Sequence, residues 1–239
     1  MNDDLKLYYD YTISPLGKLF YKTLWEQLEE IRNKQILDFG SGFAFTANFL
    51  ADSNEVTALE IDDTVIKYAE KNSNFTQLHG DVASLQEFED ETFDVVVCHL
   101  VLEFVDNPKE ILEEHHRVLK KDGLLSIVKH NRNGRIIQAI AQNYNLDEAN
   151  KLLEGGFSFS SAFGDIKYYE NEDLIHLTEN KYIVNEIYGI RALASLHNKE
   201  ITESENWLTK MFEIEKKLCK IPDYTNIAFF NHIIMQKIK

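Results

Sequence analysis

The segment that most constrains this chain is Asp38-Phe39-Gly40-Ser41-Gly42-Phe43-Ala44, which runs directly out of the short apolar stretch Gln35–Phe39. Glycines at alternate positions let backbone turn tightly and leave room for a ligand where a Cβ would obstruct it. The pattern then becomes helical over Ala44–Ala51. Twenty positions after Gly40, Glu60 closes a second apolar stretch, Glu55–Glu60. A carboxylate there can accept both hydroxyls of a ribose. A strand, a glycine turn, a helix and a second strand ending in an acid are the opening of a nucleotide-binding α/β fold.

The rest of the chain continues that rhythm. Upstream, Leu16, Leu19, Phe20, Leu24, Leu28 and Ile31 recur at helical spacing and predict an amphipathic helix. Asp63–Lys71 predicts a helix with an acidic first turn, and Phe75–His79 a strand. The valines of Phe93–Cys98 predict a strand buried on both faces. Asp106-Asn107-Pro108 opens a helix to about Leu119, and Asp122-Gly123 turns into a strand at Leu124–Lys129. Such alternation predicts a doubly wound, mostly parallel, seven-stranded α/β sheet. Beyond residue 130, helical patterns near 134–154, 171–179 and 203–219 surround strands at about Tyr182–Arg191 and Asn226–Gln236. The expectation is a single domain: a helical segment at 1–34, a core at 35–130, and cap helices with the last two strands at 131–239.

The net charge of −15 favours solubility and opposes general nucleic-acid binding. One stretch departs from it, since residues 117–135 hold Arg117, Lys120, Lys121, Lys129, Arg132 and Arg135 against Asp122 alone. The start, Met-Asn-Asp-Asp, lacks the order of a signal peptide, and no apolar stretch approaches the ~20 residues of a membrane span. Cys98 and Cys219 lack metal-site company, and Cys98 reads as a buried free thiol. No metal site is expected, and the cytoplasm is the expected location. The oligomeric state is not legible.

Two details distinguish among nucleotides. The dinucleotide fingerprint needs a small residue at position 45, which is Phe45. Asp38, at the mouth of the turn, is unhelpful beside a pyrophosphate but favourable beside S-adenosylmethionine (SAM), whose ammonium and sulfonium are cationic. The candidate cofactor contacts are therefore Asp38, Gly40, Ser41 and Gly42 in the turn, Glu60 and Ile61 after the second strand, Asp81 and Val82 after the third, and His99 after the fourth. Asp81 suits the adenine amino group, with Val82 as an apolar flank; its other reading is a helix cap for Ala83 onward. A nicotinamide oxidoreductase is the competing enzyme class, opposed by Phe45. A non-catalytic SAM-binding partner protein is the competing binding class.

Taken together, ILDFGSG, Glu60, Gly80-Asp81-Val82, FDVVV and LKKDGLL resemble the class I SAM-dependent methyltransferases over residues 35–130. Ala44 stands where many members have a third glycine. A narrower resemblance, to the tRNA 5-carboxymethoxyuridine methyltransferases, runs through His99-Leu-Val-Leu-Glu103-Phe-Val-Asp-Asn-Pro108, His130-Asn131 with Gly134, Tyr188-Gly-Ile-Arg191 and Glu213-Ile-Glu-Lys-Lys-Leu-Cys219. It implies methylation of a carboxylate on a modified wobble uridine and makes His99 a cofactor contact. Phe20 stands where that family has a SAM-contacting arginine. A carboxylate acceptor is already ionised near neutral pH and needs no general base, and no base–nucleophile constellation is visible in the sequence. It does need cationic orientation, for which Arg132, Arg135 and Arg191 are the candidates. A small acidic metabolite is the alternative acceptor. Glu103 has no expected catalytic role. Tyr8, Tyr9 and Tyr11 are expected to pack ahead of the first helix, with an aromatic lid as the other reading.

Overall fold

A computed structural model describes residues 1–238. In chain order the elements are α1 (Asp3–Thr12), α2 (Pro15–Leu28), β1 (Gln35–Phe39), α3 (Phe45–Ala51), β2 (Glu55–Glu60), α4 (Asp63–Tyr68), β3 (Thr76–His79), β4 (Phe93–His99), α5 (Pro108–Val118) and β5 (Leu119–His130). There follow α6 (Arg132–Ala141), α7 (Leu146–Leu153), β6 (Ser158–Ser160), β7 (Gly164–Ile166), α8 (Asn171–Leu177), β8 (Tyr182–Ile190), α9 (Lys199–Thr202), α10 (Trp207–Leu218), α11 (Pro222–Thr225) and β9 (Phe230–Lys237). Seven strands form one sheet in the order β3-β2-β1-β4-β5-β9-β8. The first five are parallel; β9 runs antiparallel to both β5 and β8. The strand order reverses direction between β1 and β4, and ligands of open α/β sheets bind outside the carboxyl ends at such a point.

Strand periodicity sets which helices cover which face. Leu37, Phe39, Val96, Cys98, Leu125 and Ile127 point to one side, where Ile111 and Leu112 of α5 and Leu174 of α8 cover them. Ile36, Val95, Val97 and Val128 point to the other, under Leu24 and Leu28 of α2 and Ala47 and Leu50 of α3. Asp38 lies between Leu37 and Phe39 and so shares the face of Ile36, beneath α3. Both cysteines are free and buried. Among the described residues no helix is long and apolar enough to cross a membrane.

The structure corrects several expectations. Residues 3–12 form a helix of their own, started by the Asn2 side chain accepting from the Leu5 amide. Asp122-Gly123 is not a turn before the fifth strand but a bulge within it: the register slips between Phe93↔Leu119 and Val95↔Leu124, with Asp122 at φ 61°. The helical stretch 134–154 is broken in two, because Asn145 caps α7 by accepting from the Glu148 amide. A small hairpin, β6–β7, was not foreseen.

The stretch 117–135 is no free basic surface either. Arg117 pairs with Asp90 and Glu114, Lys120 with Asp94, Arg132 with Glu170 and Arg135 with Glu148. Lys129 is buried, and desolvation pushes its ammonium down to about 8.

Behind β5 the chain docks α6 tightly on the approach to β9. The Asn131 side chain donates to the carbonyls of Asn226 and Ala228 at 2.9 and 2.8 Å. A Cβ on Gly134 would stand 2.2 Å from the Ala228 carbonyl oxygen and 2.7 Å from the Phe229 Cα, both backbone atoms with nowhere to move. Gly134→Ala is therefore expected to cost about 1–3 kcal/mol of stability. Urea unfolding reads this directly, and an unchanged midpoint would refute the close approach.

Candidate functional site

The glycine turn is built to leave polar atoms facing the carboxyl edge. Gly40 and Gly42 take φ 73° and 56°, and Ala44 follows at 61° as the N-cap of α3. Gly40 and Ser41 donate to the Leu59 carbonyl at 2.8 and 3.0 Å, pinning the turn to β2. Glu60 braces it from below: one carboxylate oxygen accepts from the Gly42 amide at 2.8 Å, the other from Ile61 and Asp62 at 2.9 and 3.0 Å.

Asp38 is 3% exposed and accepts from the Ala47 amide, but its Oδ2 has no partner. Burial, with the Glu60 charge second, pushes its carboxyl up to about 7. The Asp38 and Glu60 carboxylates thus repel each other, and among the described residues neither has an ion-pair partner. SAM would supply the missing charge, since it brings an ammonium and a sulfonium. The residues present fit it: Asp38 would hold the cationic end and Glu60 the ribose, with the exposed Ile61 beside the adenine.

The remaining candidate contacts fall along the same edge. Asp81 accepts from the Ala83 amide at 2.9 Å and forms a capping box with Ser84, which is the cap reading. Val82 packs against the core. His99 ends β4 with Nε2 on Ser126 Oγ at 2.8 Å. Ser126 continues to His232 at 2.8 Å and His232 to Gln27 at 2.7 Å. Burial, then the neighbouring His232, holds His99 well below the usual histidine range; burial alone takes His232 down to about 3. Both rings are neutral, and His99 Nδ1 is left buried and unpartnered.

Tyr8 and Tyr9 of α1 pack on Phe43 of the turn, and Tyr8 also meets Phe163, between β6 and β7, at 4.8 Å. The helix and hairpin thus wall the edge. Burial, with Glu60 second, pushes the Tyr8 phenol up to about 12. Phe20 is a core aromatic, edge-on to Phe230 at 4.9 Å.

The three arginines differ in their freedom. Arg132 spends its guanidinium on the carbonyls of Leu152 and Gly156 and on Glu170. Arg135 spends its own on Glu148 and Gln138. Arg191, at φ 61° just past β8, is 1% exposed. It donates to Ser195 Oγ at 3.0 Å and to the Tyr11 hydroxyl, stacks near Phe229 and Phe230, and keeps Nη2 without a partner. Glu215 of α10, fully buried, clamps the following loop by accepting from the amides of Ala192, Leu193 and Ala194 at 2.8–3.2 Å.

One constellation is not legible in the sequence. Glu103, in a short 3-10 turn after β4, accepts from both the backbone amide and Nδ1 of His130 at 2.7 and 3.0 Å. Glu103 and His130 are 27 positions apart, so only the β4–β5 pairing reveals them. The open cleft lined by Asn33, Lys34, Asp52, Asp94 and Lys120 lies at the opposite, amino-terminal edge and shares none of these groups.

The seven-stranded sheet and its glycine turn are similar in fold to SAM-dependent methyltransferases. Residues 37–127 match the family model described as a methyltransferase domain. A thiol S-methyltransferase from Rattus norvegicus is 27% identical over 52% of this chain, and the alignment spans 59% of that relative's length. The tRNA 5-carboxymethoxyuridine methyltransferase of Escherichia coli K12 is 20% identical over 92% of this chain and 89% of its own. A SAM-dependent methyltransferase structure from Thermotoga maritima superposes with a TM-score of 0.65 at 16% identity, covering 97% of this chain and 95% of the other.

Asp38→Asn removes the buried charge and keeps the shape, so it is expected to weaken SAM binding roughly 10- to 100-fold. The raised Asp38 carboxyl is protonated below about 7. A cationic ligand favours the ionised form, so affinity should climb as pH rises through that value in the wild type and stay flat in the variant. Titration calorimetry measures both, and a flat wild-type profile contradicts the assignment.

Proposed function

We propose that this protein transfers the methyl group of SAM to an oxygen of a small acceptor that carries a negatively charged group, and that Arg191 holds that group. The observation that carries the reading is the Arg191 guanidinium, buried, fixed by Tyr11 and Ser195, and left with an unpartnered Nη2. A buried donor without a partner costs about 1–3 kcal/mol, more when charged, and an anionic ligand removes that cost. Arg132 and Arg135 hold the cap together instead. What the chain contributes to the transfer is mainly alignment of acceptor and donor, an effect worth roughly 7–11 kcal/mol in well-oriented systems.

A second reading, methylation of a modified wobble uridine in tRNA, is favoured by the near full-length match to the Escherichia coli enzyme. The paired charges along 117–135 weigh against a phosphate track, as does the net charge of −15.

Incubating the protein and SAM labelled in the methyl group with either bulk tRNA or a small-molecule cell extract separates the two. Label in one small-molecule peak is expected; label in tRNA selects the second reading, and label in neither rejects the activity. For that peak, Arg191→Met should raise KM about 30-fold or more with SAM affinity unchanged, whereas Arg132→Met should not. Equal KM values for wild type and Arg191→Met would remove Arg191 from recognition.

A further inference from the structure

We infer that His130, oriented by Glu103, is the general base of this site, and that the oxygen receiving the methyl group enters as a hydroxyl. The inference rests on the oxygen-acceptor reading above and deepens it: the anionic group becomes the handle and the hydroxyl the nucleophile.

The geometry fixes the tautomer. Glu103 is fully buried and its Oε1 already accepts the His130 backbone amide, so the Nδ1 contact at 3.0 Å is an N–H donated to a carboxylate. On a neutral ring the proton is then on Nδ1 and the lone pair on Nε2. No protein group among the described residues bonds Nε2, and the side chain keeps 14% of its surface open. His130 is the last residue of β5, beside the end of β4 and on the far side of the switch point from the glycine turn. Its ring packs on Phe229 and Phe230 at 5.8 and 4.9 Å. The Arg191 guanidinium packs on the same two rings at 5.0 and 5.4 Å. Base and anion anchor therefore share one aromatic wall, as a single acceptor bearing both a hydroxyl and an acid requires.

The charged and titratable groups around the ring come from every side. They are Glu103, Tyr168 at 6.5 Å with Arg132 stacked behind it, Lys129 next in sequence, and Arg191 across the phenylalanines. Glu103 alone bonds the ring. In the transfer, the acceptor oxygen forms its bond to the methyl carbon, and the carbon–sulfur bonding pair stays on sulfur. The hydroxyl proton passes to Nε2 and then to solvent. Such a base contributes about 10²- to 10⁴-fold.

The test uses the whole protein, methyl-labelled SAM and the small-molecule extract. The label should survive mild alkali, as an ether does; release as methanol marks an ester and overturns the inference. His130→Gln should lose about 10²-fold or more in kcat with SAM calorimetry unchanged. Wild-type kcat in His130→Gln also overturns it. Glu103→Gln keeps an oxygen to accept Nδ1–H, so it should fold, bind SAM and retain an intermediate rate. Should no label transfer at all, the activity reading fails, yet ¹⁵N resonances of the His130 ring in the SAM-bound protein still decide the dyad. An Nδ1–H tautomer is expected, and an Nε2–H tautomer contradicts it.

Discussion

The site depends on an electrostatic imbalance that exists before any ligand arrives. Asp38 and Glu60 are both buried at the carboxyl edge, and the backbone amides of Gly42, Ala47, Ile61 and Asp62 supply donors but no full positive charge. Burying a carboxylate beside another is costly unless something cationic joins them. The fold bears this cost because the same turn that buries Asp38 also seats α3 and pins β1 to β2.

The end of β8 shows the opposite sign and the same economy. Glu215 accepts from three amides, which fixes the left-handed turn at Arg191, and among the described residues the Arg191 Nη2 has no hydrogen-bond partner. Tyr11 reaches it from α1. The N-terminal helix thus touches the glycine turn through Tyr8 and Tyr9 and Arg191 through Tyr11.

Local pattern made the parallel half readable. Strands β1 to β4 end within a residue or so of where alternation and valine content place them, and Glu60 is recognisable from its distance to Gly40. What escaped is what depends on partners far apart in sequence. The charges of Arg132 and Arg135 look free until α8 and α7 bring Glu170 and Glu148 to them. Glu103 looks like a local acid until β5 carries His130 alongside. The bulge at Asp122 imitates a turn because both need a left-handed residue before a glycine. The β6–β7 hairpin is too short to show periodicity, and α1 is too polar to announce a buried face.

If SAM completes the site at Asp38, whose carboxyl titrates at about 7, binding must displace that proton. Calorimetry of SAM binding at about pH 6, repeated in buffers of different ionisation enthalpy, measures the protons exchanged on binding. The account predicts release of roughly one proton per site, abolished in Asp38→Asn. Binding without proton release in the wild type, or no binding by the folded protein, would contradict it.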